Sequence, residues 1–205
     1  IETNILNPSM NPSFLKYILQ LADNCLIQGH RLSEWCGHAP ILEVDIALSN
    51  MALDNIGAAR SFYQYAALLE GNGKTENSYP YHRDVRSFYN ALLLEMPKGN
   101  FAETIVKSLF FDAFQYHFYT ALQASSDKQL AAIAEKSLKE VSYHLKFSSE
   151  WAVRLGDGTP ESKEKIQEAI YTYWDYCGEL FDPCESEKEM IASGVAVDIS
   201  LLKPL

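Results

Sequence analysis

An all-α fold is what this sequence predicts, on three observations. Four long stretches repeat apolar residues every three or four positions, the period of one buried helix face. The residues between them are helix stops and turn formers: Gly37 with His38-Ala39-Pro40, Gly71-Asn72-Gly73, Ser125-Ser126-Asp127 and Gly156-Asp157-Gly158. Neither a series of alternating strands nor a βαβ succession competes.

The first helix, about 13–37, opens at Pro12 and Ser13 and carries Phe14, Ile18, Leu21, Cys25, Gly29, Leu32 and Cys36 as one stripe. The second, about 41–70, carries Val44, Ala47, Met51, Asn55, Ala58, Phe62 and Leu69 and stops at the glycines that follow. Residues 71–82 are polar and loop-like, and Asp84 to Met96 reads as a shorter connecting helix stopped by Pro97. A third helix, about 101–125, is apolar on most sides, as a deeply buried helix is. The fourth spans about 128–155. A fifth, about 160–181, aligns Ile166, Ala169, Ile170, Tyr173, Trp174, Cys177 and Leu180, and the tail from 182 to 205 reads as short and irregular. Two long hairpins joined by a long crossing connection are the plan of a ferritin-like four-helix bundle, whereas up-and-down bundles use short loops throughout. At 205 residues and 47% hydrophobic composition the chain predicts one domain, 1–205.

Charge narrows the function classes. Seventeen Lys and Arg against 27 Asp and Glu leave a net charge of -10, which repels a phosphate backbone or an anionic membrane, so neither nucleic acid nor membrane is an expected partner. No apolar run approaches the roughly 18 residues of a membrane span, and no signal-peptide layout opens the sequence. Cys25, Cys36, Cys177 and Cys184 form no CxxC pair, which fits free thiols and a cytoplasmic location.

A carboxylate-bridged di-iron centre in such a bundle needs a Glu from each of two helices and a Glu-x-x-His pair from each of the other two, all at one level. In the first hairpin Cys25 and Asn55 are about equidistant from the turn, and in the second Asp112 and Val141 are, with His144 one turn beyond Val141. In chain order the six positions read Cys25, Asn55, Ala58, Asp112, Val141 and His144, so only Asp112 and His144 are plausible ligands. One carboxylate and one imidazole cannot hold and bridge two hard cations, so this chain is expected to carry no metal, no cofactor and no catalytic residue of its own. Asp112 and His144 are expected to form a buried hydrogen-bonded pair that fills the space. Glu140 falls at the stripe edge, facing an interface or solvent.

Weaker candidates are His30, Glu34 and His38, whose spacing can bind zinc but which sit on the polar side of the first helix near its end. His82 and His117 stand alone, and there is no phosphate loop or GxSxG. Trp35, Trp151, Trp174 and many tyrosines exceed what a monomer core requires, as in a permanent contact between protein chains.

The runs RLSEWCGHAPILEVDIALSNMALDNIGAAR, NFAETIVKSLFFDAFQYHFYTAL and LKEVSYHLKFSSEWAVRLGDGT, with GELFDPCESEKEMIASGVAVD in the tail, resemble the C-subunit family of the bacterial ring-1,2-phenylacetyl-CoA epoxidase, a multicomponent monooxygenase of phenylacetate degradation. The resemblance covers nearly the whole chain, and members of that family run on for some tens of residues beyond the position matching Leu205. It implies a paralogue of the di-iron A subunit that pairs with it through the same helical core and lacks a working metal site, the iron residing in that catalytic partner. The A subunit's ligand pattern falls here on Cys25, Asn55, Ala58, Asp112, Val141 and His144, and the departures at Cys25, Asn55, Ala58 and Val141 speak against catalysis by this chain. The implied role is a noncatalytic structural subunit that stabilises the catalytic one. Arg31, Arg83 and Arg86 read as solvated, with contact to acyl-CoA phosphates as the alternative. Two rival readings are a self-sufficient metal-dependent oxidase built on Asp112, His144 and Glu140, and a ferritin-type storage or small-ligand bundle.

Overall fold

The computed structural model describes residues 11–203, so Pro204 and Leu205 of the tail, and residues 1–10, lie outside the described residues. It is a ferritin-like helical bundle, and no strand occurs among the described residues. Its long helices are α1 (Pro12–Ser33), α2 (Leu42–Glu70), α5 (Phe101–Leu122) and α6 (Lys128–Gly156), joined by α3 (Ser78–His82) and α4 (Leu92–Glu95) and followed by α7 (Pro160–Trp174) and α8 (Glu185–Ala192). α1 packs along α2 and α5 along α6, and the two hairpins meet through α2 and α6.

Local chemistry sets the ends. Asn11 caps α1, its Oδ1 accepting from the Ser13 amide at 2.8 Å with Pro12 at the first helical position. Asn100 and Glu103 form a reciprocal capping box at α5, and Asp127 Oδ1 accepts from the Leu130 amide at 2.9 Å at α6. α2 ends on Gly71 at φ +69°, a conformation that favours glycine.

Three boundaries differ from the periodicity. α1 stops at Ser33, not near 37, because the chain turns to bury Trp35, whose indole N–H donates to Thr104 Oγ1 at 3.0 Å; Cys36 is left exposed. The stretch read as a helix from Asp84 to Met96 is extended chain broken by a 3-10 turn at Val85–Ser87 and the single turn α4, since the Tyr89, Ala91 and Leu93 amides donate outside it, to Asp23, Asn24 and Glu179. The fifth helix gives way to 3-10 geometry at Asp175–Phe181. The tail is more regular than expected: α8 lies on α1, Met190, Ile199 and Leu202 enter the core, and Ser125 Oγ donates to the Val195 carbonyl at 2.6 Å.

Tyr17, Phe62, Phe111, Leu48, Met51 and Leu122 are among the fully buried side chains, each contributing roughly 1.5–3 kcal/mol by leaving water. Gly29 lets α1 and α2 approach: a β-carbon there would lie 3.0 Å from the Ala52 carbonyl oxygen and 2.9 Å from Ile56 Cγ1. The connection is held by Asp23, wholly buried in α1. Its carboxylate accepts from the Tyr63 hydroxyl at 2.5 Å, the Tyr89 amide at 2.9 Å and Arg83 Nη1 at 3.0 Å, and the second Arg83 Nη also bonds to it.

α2 is apolar on two sides. Val44, Leu48, Met51, Asn55, Ala58 and Phe62 face inward, while Leu42, Ile46, Leu53 and Ile56 recur at spacings of three to seven on the opposite side and are 72%, 53%, 66% and 36% exposed. Apart from Ile56, whose Cγ1 lies beside Gly29 of α1, that second stripe has no covering element among the described residues.

Candidate functional site

Cys25 from α1, Asn55 and Ala58 from α2, and Val141 and His144 from α6 converge, as the hairpin arithmetic predicts, on a cavity of about 10 Å³, room for about one water. Asp54, Gln115, Tyr119, Ser137 and Glu140 complete its wall. Asp112 is not among them. It is fully buried, Ser148 Oγ donates to its Oδ2 at 2.9 Å, and its Oδ1 has no partner among the described residues.

The buried Asp112–His144 pair does not form. His144 Nε2 lies 3.1 Å from Asp54 Oδ2 at the rim, where solvent still reaches the carboxylate, and its Nδ1 has no partner among the described residues. Ser148, one turn after His144, takes Asp112 instead. Glu140 does not turn away either. It is half-buried beside Asp54, and burial first, then the Asp54 charge, raises its carboxyl above the usual range. Burial lowers the His144 pKa, opposed by its hydrogen bond to Asp54, and burial pushes Cys25 up to about 11. The Cys25 thiol sits 3.4 Å from the Tyr119 hydroxyl and accepts from Gln115 Nε2 at 3.7 Å, packed as a small apolar group.

A pair of iron ions in a four-helix bundle needs bridging carboxylates, and the donors here do not fit two ions. Cys25, Asn55, Ala58 and Val141 supply no carboxylate, Asp112 is turned to Ser148, and Asp54 and Glu140 stand at the rim. Among the described residues no three His, Cys, Asp or Glu side chains are grouped to hold a metal ion.

Asp112 has a consequence for stability. Burial raises its pKa from 3.8 to about 8, so the folded state retains a proton that the unfolded chain releases above pH 4. A raised folded pKa means the contribution is full below the unfolded value and lost as pH rises through the folded one. Between about pH 4 and pH 8 Asp112 therefore lowers stability as pH rises, by up to one proton's worth per pH unit, on the order of 1 kcal/mol. Asp112→Asn, neutral throughout, is expected to remove that decline and to be more stable than the parent at pH 8; urea titrations at pH 5, 6.5 and 8 test it, and parallel pH dependences would contradict it. His144 acts with the opposite sign, its contribution present above pH 6.5 and lost on acidification, so the comparison isolates Asp112 by difference.

The zinc-spaced trio does not assemble. Glu34 pairs with Arg31 at 2.6 Å, and His38 Nδ1 bonds the Cys36 carbonyl at 2.9 Å beyond the helix end. His82 is exposed at the end of α3, and His117 lines an apolar cleft of about 470 Å³ with Phe110, Phe114, Trp174 and Phe181. Trp35 is buried and Trp151 packs on Phe101, so both belong to the core, whereas Trp174 is 63% exposed. Of the arginines read as solvated, Arg83 is mostly buried on Asp23; Arg31, Arg83 and Arg86 line one groove of about 820 Å³ together with Arg60.

Sequence reasoning missed Asp54, Gln115, Tyr119 and Ser148. Ser148 carried a signal, four residues after His144 on the same stripe; Asp54 carried none, because at the edge of a buried face a carboxylate ordinarily faces water.

A family model described as "Phenylacetic acid catabolic protein" matches residues 2–204. The C subunit of the 1,2-phenylacetyl-CoA epoxidase of Escherichia coli (strain K12) is 49% identical over 187 residues, 91% of this chain and 75% of that protein. Among the described residues no helix is long and apolar enough to cross a membrane.

Proposed function

The chain belongs to the phenylacetic acid catabolic protein family, and from that premise we propose that it is a noncatalytic, cytoplasmic subunit of a phenylacetyl-CoA 1,2-epoxidase, pairing with and stabilising a homologous di-iron subunit. The carrying observation is the donor set at the level of Cys25. Four of the six ligand positions hold Cys, Asn, Ala and Val, and the two remaining donors are bound to Ser148 and Asp54. Such a layer supports helix packing and not oxygen chemistry. The exposed stripe Leu42, Ile46, Leu53 and Ile56 supplies a surface for the partner, since a large apolar helix face left in water marks an interaction site. A self-sufficient oxidase on Asp112 and His144 has less support, because the two residues do not share one site.

The test is co-expression with a di-iron homologue of the same family, followed by separation of the chains and metal analysis of each. The expected result is iron in the partner alone, and epoxidation of phenylacetyl-CoA only when both chains are present. Stoichiometric iron in this chain, or turnover by it alone, would overturn the proposal.

A further inference from the structure

The small cavity at the level of Cys25 is walled by hydrogen-bond acceptors. His144 Nε2 lies 3.1 Å from Asp54 Oδ2, and with the ring proton on that nitrogen, facing the carboxylate, Nδ1 is left as a lone pair. His144 is 1% exposed, and its Nδ1 has no partner among the described residues. Gln115, 3% exposed, spends an amide N–H on Cys25 Sγ, and its Oε1 likewise has no partner among the described residues. Asp54 and Glu140 line the same cavity. Glu140 makes no hydrogen bond and no ion pair among the described residues, and the charges acting on it are those of Asp54 and of Lys136, one turn earlier.

Four acceptors, two of them carboxylates, thus surround room for about one water. A water brings two donors and no charge. A lysine ammonium is compact, brings three N–H donors and no acceptor, and carries the missing positive charge, whereas a guanidinium is a planar fork too wide for the space. No lysine of this chain lines the cavity. Its mouth lies at Asp54, whose side chain is 36% exposed, next to Leu53 on α2. That is the apolar face on which the partner subunit is seated in the reading above. A chain that covers Leu53 also takes water from Asp54 and Glu140, and two like charges desolvated together oppose association unless a cation arrives with the partner.

We propose that the subunit seated on the outward stripe of α2 inserts a lysine side chain between Asp54 and Glu140, its ammonium donating to both carboxylates and to Gln115 Oε1. This rests on the pairing reading and names the chemistry by which the partner is recognised. In the test, the di-iron homologue is immobilised and the full parent chain, Asp54→Asn, Glu140→Gln and Glu140→Lys are passed over it, with association and dissociation followed by interferometry. The parent is expected to bind. Asp54→Asn and Glu140→Gln are each expected to bind at least about tenfold more weakly, chiefly through faster dissociation, as when a buried charge pair loses one member, and Glu140→Lys to lose binding. Both neutral variants relieve a like-charge contact in the free chain, and asparagine keeps a carbonyl acceptor for His144, so their melting temperatures should stay at or above the parent's. Exchanging the partner's lysines for glutamate one at a time is then expected to yield one exchange that restores binding of Glu140→Lys by about tenfold or more. A parent that binds, with both neutral variants binding equally well, leaves pairing intact and overturns the inserted lysine, a water being then the occupant. Weakened neutral variants with no exchange that restores Glu140→Lys overturn it too, and a parent that does not bind overturns pairing and insertion together.

Discussion

Asp23→Ala is expected to cost about 3–5 kcal/mol of folding stability, the range for removing one member of a buried ion pair, and to lower the melting temperature by about 6–20 °C at this chain length. Asp23 is wholly buried and Arg83 is nearly so, and the carboxylate also accepts from Tyr63 and the Tyr89 amide. Alanine leaves a guanidinium, a hydroxyl and a backbone N–H without their acceptor, and an unsatisfied charged group is the dearest of the three. The damage is local as well as global. Residues 79–95 have little regular structure of their own, and this carboxylate joins them to α1. Protease cleavage between Tyr79 and Glu95 should therefore quicken more than cleavage in α5 or α6. Asp23→Asn, which keeps one carbonyl acceptor for either the Tyr63 hydroxyl or the Tyr89 amide and removes the charge, should fall between parent and alanine variant. A melting temperature within 2 °C of the parent in Asp23→Ala would show that the pair carries no such weight.

The same residue shows why some of the structure was legible in the sequence and some was not. The four long helices could be read because burial of one face imposes a period of three to four, and Ile18, Phe62 and Leu130 are buried as that period requires. The layer of Cys25, Asn55, Ala58, Val141 and His144 could be read because two hairpins with known turns fix which residues stand opposite. The connection could not, because it owes its path to long-range contacts: Leu93 and Leu94 in the core, Tyr89 on Asp23, and the Ala91 amide on Asn24 Oδ1 at 2.8 Å. A period over 84–96 was present and was overridden by those partners. Asp112 is buried as its stripe requires, but it stands outside the cavity of that layer and its partner is Ser148, not His144. Periodicity says which way a side chain faces within about a quarter turn, and that is too coarse to choose between His144 and Ser148.

Leu53→Asp is expected to weaken association with the di-iron partner by about a hundredfold or more, a loss of the size found for central hot-spot residues and larger where a charge is buried without a counterion. Leu53 is 66% exposed at the middle of the outward stripe of α2, and its side chain takes no part in the core. An aspartate there meets water in the free chain, so its own melting temperature should change little. In a complex that covers Leu42, Ile46, Leu53 and Ile56 the same carboxylate would be desolvated against apolar atoms. The contrast between an unchanged monomer and a broken complex separates an interface effect from misfolding. Tyr171→Asp, on the outer side of α7 where the ring is 74% exposed, serves as the matched control. Pull-down of the tagged di-iron homologue with parent, Leu53→Asp and Tyr171→Asp chains gives the answer directly. If Tyr171→Asp abolishes capture and Leu53→Asp does not, the partner meets the bundle through α7 and the outward stripe of α2 has another purpose.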